Sequence, residues 1–231
     1  MRPVSKKTPG DKVRYTNSQG YAVEETIRKD YPQYQKAKAP LIANLGSYCS
    51  YCEIQHMPAD LAVEHIIPKK PKYGNPGSET AWSNFLLACN ICNSIKHNKN
   101  DVSLDNCHWP HRDNTFHDFV YNAGGMVWIN PALSEEERAK AQCLANAIKL
   151  EAYPNGKVTP TESDYRWQKR CEVWNIAEKQ KNLYDTGHIT VADITHLART
   201  QGCWSVWYTV FKGYVEVRTA LVHEFPGTAE L

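Results

Sequence analysis

The sequence predicts an α+β protein, mainly helical, in which a small metal-stapled core precedes a helical C-terminal part. Three observations support this fold class: two C-x-x-C pairs, an apolar strand pattern between them, and helical periodicity from about residue 133 onward. We divide the 231 residues into a basic arm and helix over 1–46, a core over 47–100 and a helical region over 101–231. That length allows one good core or two small ones.

The composition is that of an ordinary globular protein. Hydrophobic residues make up 42% of the chain and charged residues 23%, which excludes an intrinsically disordered chain. No run approaches the roughly 18 apolar residues that a membrane span requires. A secretory signal has an apolar stretch after its N-terminal charges, and this sequence has none there. We therefore expect a cytoplasmic protein with no membrane contact.

Charge is distributed unevenly along the chain. Residues 1–99 hold 14 Lys and Arg against 8 Asp and Glu, a net charge of +6, whereas residues 100–231 hold 13 against 17, a net charge of −4. A basic segment suits a polyanion such as nucleic acid. An acidic segment suits a protein partner, or simply keeps the protein in solution.

The first half contains four local patterns. Polar and basic residues over 1–20 predict an extended arm, and apolar spacing over 21–46 predicts a helix that ends at Gly46. The run over 61–68 predicts a short strand, and a helix is expected over 90–97.

The second half has stronger helical signals. Ser134-Glu-Glu-Glu137 predicts a capping box, with Leu144 and Ile148 following at i, i+4 spacing. A helix is expected over 162–182 and another from Thr190 to Gly202, and the aromatic segment 203–211 is expected to be buried. On the helix over 162–182, one face is predicted to carry Trp167, Cys171 and Trp174.

Four of the eight cysteines have the spacing of a metal site. Cys49-Ser-Tyr-Cys52 and Cys89-Asn-Ile-Cys92 are separated by 36 residues, and two such knuckles supply the four thiolates of a closed structural zinc site. A redox motif needs only one pair; two unrelated pairs of buried thiols are the alternative. The remaining cysteines are expected to be unpaired core thiols: Cys107, Cys143, Cys171 and Cys203.

The segment between the knuckles carries the chemistry. Glu64-His65 interrupts the apolar strand, and a purely structural zinc module has no need of that dyad. Zinc would tie this strand to the helix over 90–97 and so bring the dyad close to Asn84 and Asn93. Oxygen ligands, an imidazole and nearby lysines are the groups needed to hydrolyse a phosphodiester with a divalent cation.

At these residues the sequence resembles the HNH endonucleases. The match runs C-x-x-C, then Glu-His-Ile-x-Pro, then Trp-x-Asn-Phe-Leu-Leu-Ala-Cys-x-x-Cys-Asn-x-x-Lys, over roughly residues 45–100. The resemblance implies a zinc-stapled ββα-metal core, a β-hairpin and helix wrapped round a metal. It also implies His65 as general base, Glu64 and Asn93 as ligands of a catalytic cation such as Mg²⁺, and Asn84 as the residue that positions the His65 loop.

Two positions depart from the commonest family pattern. Asn93 stands in place of the last histidine of the family name, and Glu64 in place of aspartate, but both still offer oxygen ligands. His97 shares a helix face with Asn93 and is a further candidate ligand. Five lysines are candidates for holding the nucleic-acid backbone, although a solvated surface charge explains each equally well: Lys69, Lys70, Lys72, Lys96 and Lys99.

A closer resemblance extends over most of the chain. The motifs Arg-Pro-Val-Ser-Lys over 2–6, Trp-Pro-x-Arg-Asp-Asn-Thr-Phe over 109–116, Ser-Val-Trp-x-Thr-Val-Phe over 205–211 and Phe-Pro-Gly-Thr over 225–228 are similar to the PtuB family of HNH nucleases. That family belongs to Septu anti-phage systems, including retron-associated ones. The similarity implies a PtuA-like ATPase partner and, in the retron-linked form, a reverse transcriptase with its RNA–DNA product. The acidic helical region is then a candidate docking surface, or else a self-contained helical core.

Other interpretations remain open at this stage. One is a zinc-knuckle nucleic-acid-binding protein without catalysis, which would gain nothing from the Glu64-His65 dyad. Another is a stand-alone restriction-like nuclease, but no separate sequence-reading module such as a helix-turn-helix is evident. His108, His111 and His117 lack the spacing of a second metal site, so a loop that braces the core is the simpler interpretation of their segment.

Overall fold

The fold is α+β and mainly helical, as the sequence predicts, and the described residues also form three short antiparallel hairpins. A computed structural model describes residues 1–69, 78–97 and 103–230. In chain order the strands are β1 (Lys12–Thr16), β2 (Ala22–Thr26), β3 (Leu61–His65), β4 (Phe85–Cys89), β5 (Phe119–Tyr121) and β6 (Val127–Ile129). The α-helices are α1 (Lys38–Leu45), α2 (Asn90–Lys96), α3 (Thr115–Asp118), α4 (Glu135–Ile148), α5 (Arg166–Asp185), α6 (Val191–Gln201), α7 (Trp204–Val210) and α8 (Val215–Glu224). None of these helices is both long and apolar enough to cross a membrane.

The N-terminal prediction is wrong in its details. Residues expected to form an arm and the start of a helix form the hairpin β1–β2, in which Lys12 pairs with Thr26. The Asn17 side chain accepts hydrogen bonds from two backbone N–H groups and closes the turn. Helix α1 therefore begins only at Lys38, but it ends at Gly46 as predicted, with a positive φ of 77°.

The hairpin β3–β4 leads directly into α2 and forms the centre of the predicted core. Glu64 pairs with Leu86 and His65 with Phe85, and every residue of β4 is buried. Helix α2 begins at the residue after β4 and packs against β3. The predicted strand and helix are both present, so two elements carry the dyad and the second pair of cysteines.

The helical half confirms the capping signals. Ser134 and Glu137 form the predicted capping box of α4, and Thr190 and Asp193 form another at the start of α6. In α5 the predicted aromatic face is only half-buried, whereas the fully buried side chains are Arg166, Arg170, Val173 and Ala177. The reason is that the buried arginines hydrogen-bond with the rest of the protein, which periodicity cannot reveal.

Two of the cysteines expected as unpaired core thiols form a disulfide. Cys107 and Cys143 are joined, with their Cα atoms 5.1 Å apart, and the prediction of free thiols is wrong at these two positions. They lie 36 residues apart in sequence, so only the packing of α4 against the loop before α3 brings them together. Cys203 is buried and Cys171 half-buried, and both are free.

A buried carboxylate connects the two halves of the chain. Glu53 follows the first cysteine pair directly, and its carboxylate accepts hydrogen bonds from the Ser205 backbone N–H at 2.7 Å and the Ser205 hydroxyl at 2.8 Å. It also accepts the Arg2 backbone N–H at 3.0 Å and the Tyr121 hydroxyl at 3.4 Å. Since Glu53 is 4% exposed, these donors are its substitute for water.

Replacing Glu53 with Gln is expected to lower the free energy of unfolding by about 1–3 kcal/mol, because one acceptor oxygen becomes a donor amide among buried donors. Urea unfolding measures this difference. Glu24→Gln is the matched control, since Glu24 pairs with Lys12 and Arg14 at 2.7 Å on an exposed surface. The control should change the free energy of unfolding much less than Glu53→Gln, because water solvates Glu24 and its partners. Equal effects of the two substitutions would contradict the connecting role of Glu53.

Candidate nuclease and metal site

The four knuckle cysteines converge on one point. The Sγ atoms of Cys49, Cys52, Cys89 and Cys92 all lie within 4.8 Å of one another, and all four residues are buried. The Cys49 backbone N–H donates to Ile54 and the Glu53 N–H donates back to Cys49, so the first pair sits in a tight turn. The second pair spans the end of β4 and the first turn of α2. Among the described residues this is the one group of three or more His, Cys, Asp or Glu close enough to hold a metal.

The chemistry of this cluster fits zinc. Burial raises the pKa of the Cys49 thiol, whereas hydrogen bonds from Cys49, Cys52 and Cys92 lower the pKa of Cys89. Four thiolates buried at this spacing would repel one another unless a cation lay among them. A tetrahedral Zn²⁺ supplies that charge and prefers four sulfur ligands of this kind.

His65 lies at the end of β3 in an aromatic enclosure. Its ring packs edge-on against the rings of Tyr34 and Phe85, with centroid separations of 4.8 Å and 5.2 Å. Its Nε2 lies 2.9 Å from the backbone carbonyl oxygen of Glu79. Burial of the imidazole is the main cause of a lowered pKa, so His65 is held in its neutral form.

Glu64, the residue before His65 on β3, is buried and paired with a lysine. Its Oε1 lies 2.7 Å from the Lys96 ammonium, which also donates to the His65 carbonyl oxygen at 2.8 Å. The Tyr51 hydroxyl donates to the same Oε1 at 3.4 Å. Burial raises the pKa of Glu64, and Lys96 acts in the opposite direction by stabilising the carboxylate.

Asn84 joins the ends of the loop that follows His65. Its Oδ1 accepts the Ile67 backbone N–H at 2.8 Å, and its Nδ2 donates to the Ile67 carbonyl at 3.0 Å and to Ser78 at 3.2 Å. The backbone of Asn84 accepts the Ile66 N–H as well. This buried amide therefore sets the distance between the dyad strand and β4.

A comparison with protein families covers this part of the chain. Residues 42–99 match the family model for HNH endonucleases. The matched HNH segment contains both cysteine pairs, the Glu64-His65 dyad, Asn84 and α2, which are the groups that the structure assembles. A search of curated proteins finds no match for this chain.

The remaining predicted residues of the HNH segment have different environments. Asn93 is half-buried on α2, and His97 is exposed at the C-terminal end of that helix. Lys69 is partly exposed, with its ammonium 3.0 Å from the Tyr34 hydroxyl and 3.6 Å from Glu79. The prediction that Lys96 contacts nucleic acid is wrong, because its side chain is 1% exposed and serves Glu64. Three predicted lysines lie outside the described residues: Lys70, Lys72 and Lys99.

Sequence reasoning missed several residues that touch the HNH site. Tyr51 and Tyr34 contact the dyad, and the backbone of Glu79 holds the His65 ring. Arg166, from α5, donates to the Cys92 sulfur at 3.3 Å. Tyr51 lies inside the first C-x-x-C pair and could have been suspected from its position. Arg166 is 74 residues from Cys92 and has no local signal.

The histidines of α3 and of the loop before it do not assemble a second metal site among the described residues. His108 Nδ1 lies 3.0 Å from an Asp118 carboxylate oxygen, and His117 is exposed. The Nδ1 atom of His111 is buried without a hydrogen-bond partner. Trp109 in the same loop is fully buried beside Lys96, so this loop packs against the HNH segment.

His111 is expected to make stability depend on acid pH. Burial, together with the charges of Lys6 and Arg112, lowers its pKa from 6.5 to about 3. Because the unfolded chain takes up this proton first, the stabilisation is complete above about pH 6.5 and falls as pH drops toward 3, by about 1.4 kcal/mol per pH unit.

Urea unfolding of the wild type and His111→Gln between about pH 6.5 and pH 5 measures this dependence. The slope of unfolding free energy against pH should be larger in the wild type than in the variant, by the equivalent of about one proton. Both proteins keep the four cysteines, so any effect of acid on that cluster is common to both. The exposed His188→Gln is the control. Parallel slopes in wild type and His111→Gln would show that His111 is protonated in the folded state.

Proposed function

We propose that this protein is a metal-dependent endonuclease that hydrolyses phosphodiester bonds of nucleic acid. The observation that carries the proposal is the environment of His65 within the segment that matches the HNH family. A backbone carbonyl only accepts hydrogen bonds, so the contact with Glu79 requires the proton on Nε2. The other ring nitrogen, Nδ1, then keeps a lone pair, and burial keeps the ring neutral by lowering its pKa.

His65 is thus in the form needed by a general base. Its Nδ1 would accept a proton from the attacking water, while the Glu79 carbonyl and the rings of Tyr34 and Phe85 hold the imidazole in one orientation. Asn84 supports this arrangement by fixing the backbone just after the histidine. An imidazole with no preferred tautomer would be a less effective base.

Glu64 and Asn93 would hold the catalytic divalent cation. Carboxylate and amide oxygens are ligands that Mg²⁺ prefers. Glu64 lies on β3 and Asn93 on α2, and these two elements pack against each other. When bound, the cation supplies charge neutralisation at the scissile phosphate. Glu64 must then share its carboxylate with Lys96, which lies 2.7 Å away. His97, the residue that follows α2, is a further candidate ligand.

The nucleic-acid backbone would be held beside this site by exposed lysines. Lys69 lies four residues after His65, and its ammonium remains partly exposed. It therefore suits a phosphate contact, whereas the buried Lys96 does not. Zinc would hold the two knuckles and so keep β3, β4 and α2 in register.

A cleavage assay tests the proposal. Purified protein is incubated with labelled double- and single-stranded DNA and RNA in metal-free buffer, with or without added Mg²⁺. Omitting Mg²⁺ is preferable to adding EDTA, because EDTA would also extract zinc. We expect internal cuts only when Mg²⁺ is present. Tight binding without any cleavage, at full zinc content, would favour a zinc-knuckle binding protein instead.

We further propose that the nuclease is the effector of an anti-phage defence complex with a PtuA-like ATPase. The support is the set of four segments that resemble the PtuB family, which meet in the structure. The Arg2 guanidinium donates to Pro226 and Thr228, and Val4 donates to Pro110. Ser205 donates to Glu53, which also accepts from Arg2. Hydrogen bonds therefore connect the four segments, either directly or through Glu53, the residue that follows the first cysteine pair.

Co-purification tests the proposed complex. The protein is expressed with its neighbouring genes, and we expect it to carry along an ATPase and, in a retron-linked system, a reverse transcriptase with its RNA–DNA product. Isolation of the nuclease alone, fully active on nucleic acid, would favour a stand-alone restriction-like enzyme.

A further inference from the structure

The cluster of four cysteines receives a hydrogen bond from the helical half of the chain. Four thiolates around one Zn²⁺ carry a net charge of −2, and the four cysteines are buried. Buried anions of this kind need donors directed at the sulfurs. The Arg166 Nη1 atom lies 3.3 Å from Cys92 Sγ, and it comes from the first residue of α5.

The position of Arg166 is fixed by the rest of its contacts. Nη1 also donates to the Ile148 carbonyl at 2.9 Å and Nη2 to the Lys149 carbonyl at 3.1 Å, both at the end of α4. Asp164 accepts from Nε at 2.7 Å and from Nη2 at 2.8 Å. All five N–H groups of the guanidinium therefore have acceptors, and the residue is 4% exposed.

We propose that Arg166 is part of the zinc centre and couples zinc retention to the packing of α4 and α5. Asp164 balances the charge of Arg166, so the guanidinium gives Cys92 a directed N–H donor more than a net positive charge. That donor stabilises the thiolate form of the sulfur, which is the form that binds zinc. The proposal rests on the four cysteines binding zinc, but it is independent of nuclease activity.

The geometry also explains why α4 would respond to zinc. The same guanidinium nitrogen contacts both Cys92 and the last turn of α4, and α4 packs against α2, the helix that carries Cys92. Loss of zinc would free Cys92 and remove one of the five acceptors of Arg166. The end of α4 and the start of α5 would lose their shared anchor on the knuckle.

Zinc release from purified variants tests the proposal. Arg166→Met keeps the size of the side chain without its donors, and the rate of zinc transfer to a chromogenic chelator is measured for variant and wild type. We expect about one zinc per wild-type chain and release about 10- to 100-fold faster from the variant. Arg170→Met is the matched control, because Arg170 is equally buried on the same helix and donates to Gly125 instead of sulfur.

Three results would overturn the proposal. They are a wild-type protein without zinc, an Arg166→Met protein that releases zinc at the wild-type rate, and an Arg170→Met protein that is accelerated equally. Retained nuclease activity in a zinc-free wild type would separate failure of this proposal from failure of the proposed function.

Hydrogen exchange on the wild type covers the case in which Arg166→Met does not fold. After chelation of zinc, amides over 145–168 should lose protection together with the knuckles, whereas the β1–β2 hairpin keeps its protection. Unchanged protection over 145–168 would contradict the coupling.

Discussion

The His65→Ala variant is expected to lose cleavage activity by about 10²- to 10⁴-fold, the usual contribution of a general base. The substitution removes Nδ1, the ring nitrogen left without a proton by the contact between Nε2 and the Glu79 carbonyl. Single-turnover cleavage of a labelled substrate, with Mg²⁺ in excess, measures the loss. The same variant should recover part of its activity when free imidazole is added, since an external base can then occupy the space of the ring.

Controls separate this chemical effect from damage to the fold. The His65 ring packs on Tyr34 and Phe85 and is not a member of the sulfur cluster, so the variant should keep its zinc content and its helical circular dichroism. His117→Ala is the matched control, because His117 is exposed and outside the matched segment. If His65→Ala cut within a few-fold of wild type, another group would have to be the base.

The Lys96→Met variant is expected to lose about 3–5 kcal/mol of unfolding free energy, the usual cost of breaking a buried ion pair on one side. The substitution leaves the Glu64 carboxylate buried beside Tyr51 without its cation. It also removes the donor to the His65 carbonyl oxygen. Urea unfolding of wild type and variant, both saturated with zinc, measures the difference.

Two comparisons make this test specific. The solvated pair of Lys140 and Glu136 has an almost identical separation, 2.6 Å against 2.7 Å, yet Lys140→Met should lower stability far less than Lys96→Met, because water solvates both groups. The double variant Glu64→Gln with Lys96→Met should recover much of the lost stability, since no unpaired charge then remains buried. Similar losses in Lys96→Met and Lys140→Met would show that the pair is solvated in solution.

Much of the HNH segment could be predicted because its signals are local. The C-x-x-C spacing predicts a tight turn with two sulfurs on one side, and both turns are present with their sulfurs within 4.8 Å. The apolar strand and the helix after it are also present, at Leu61–His65 and Asn90–Lys96. The capping box predicted at Ser134 is confirmed for the same reason, and the helix start predicted at Thr190 carries another such box, since each involves residues only three apart.

The errors arise where a residue's partner is far away in sequence. The helix expected over 21–46 became partly a strand, because β-pairing across the turn at Asn17 prevailed over apolar spacing. Cys107 seemed a lone core thiol until packing placed Cys143 beside it. Lys96 looked like a surface charge on a short helix, yet the strand beneath that helix carries Glu64.

The sequence by itself determined the four-sulfur cluster, the dyad on its strand and the fold class, because these depend on spacing along a few residues. Only the tertiary structure decided what surrounds them. It placed the Glu79 carbonyl on His65, Lys96 on Glu64 and Arg166 on Cys92. Each of these contacts joins a charged or polar group to a partner on another element or loop, and burial makes the pairing obligatory. Spacing along the chain does not encode which distant group will satisfy a buried donor or acceptor.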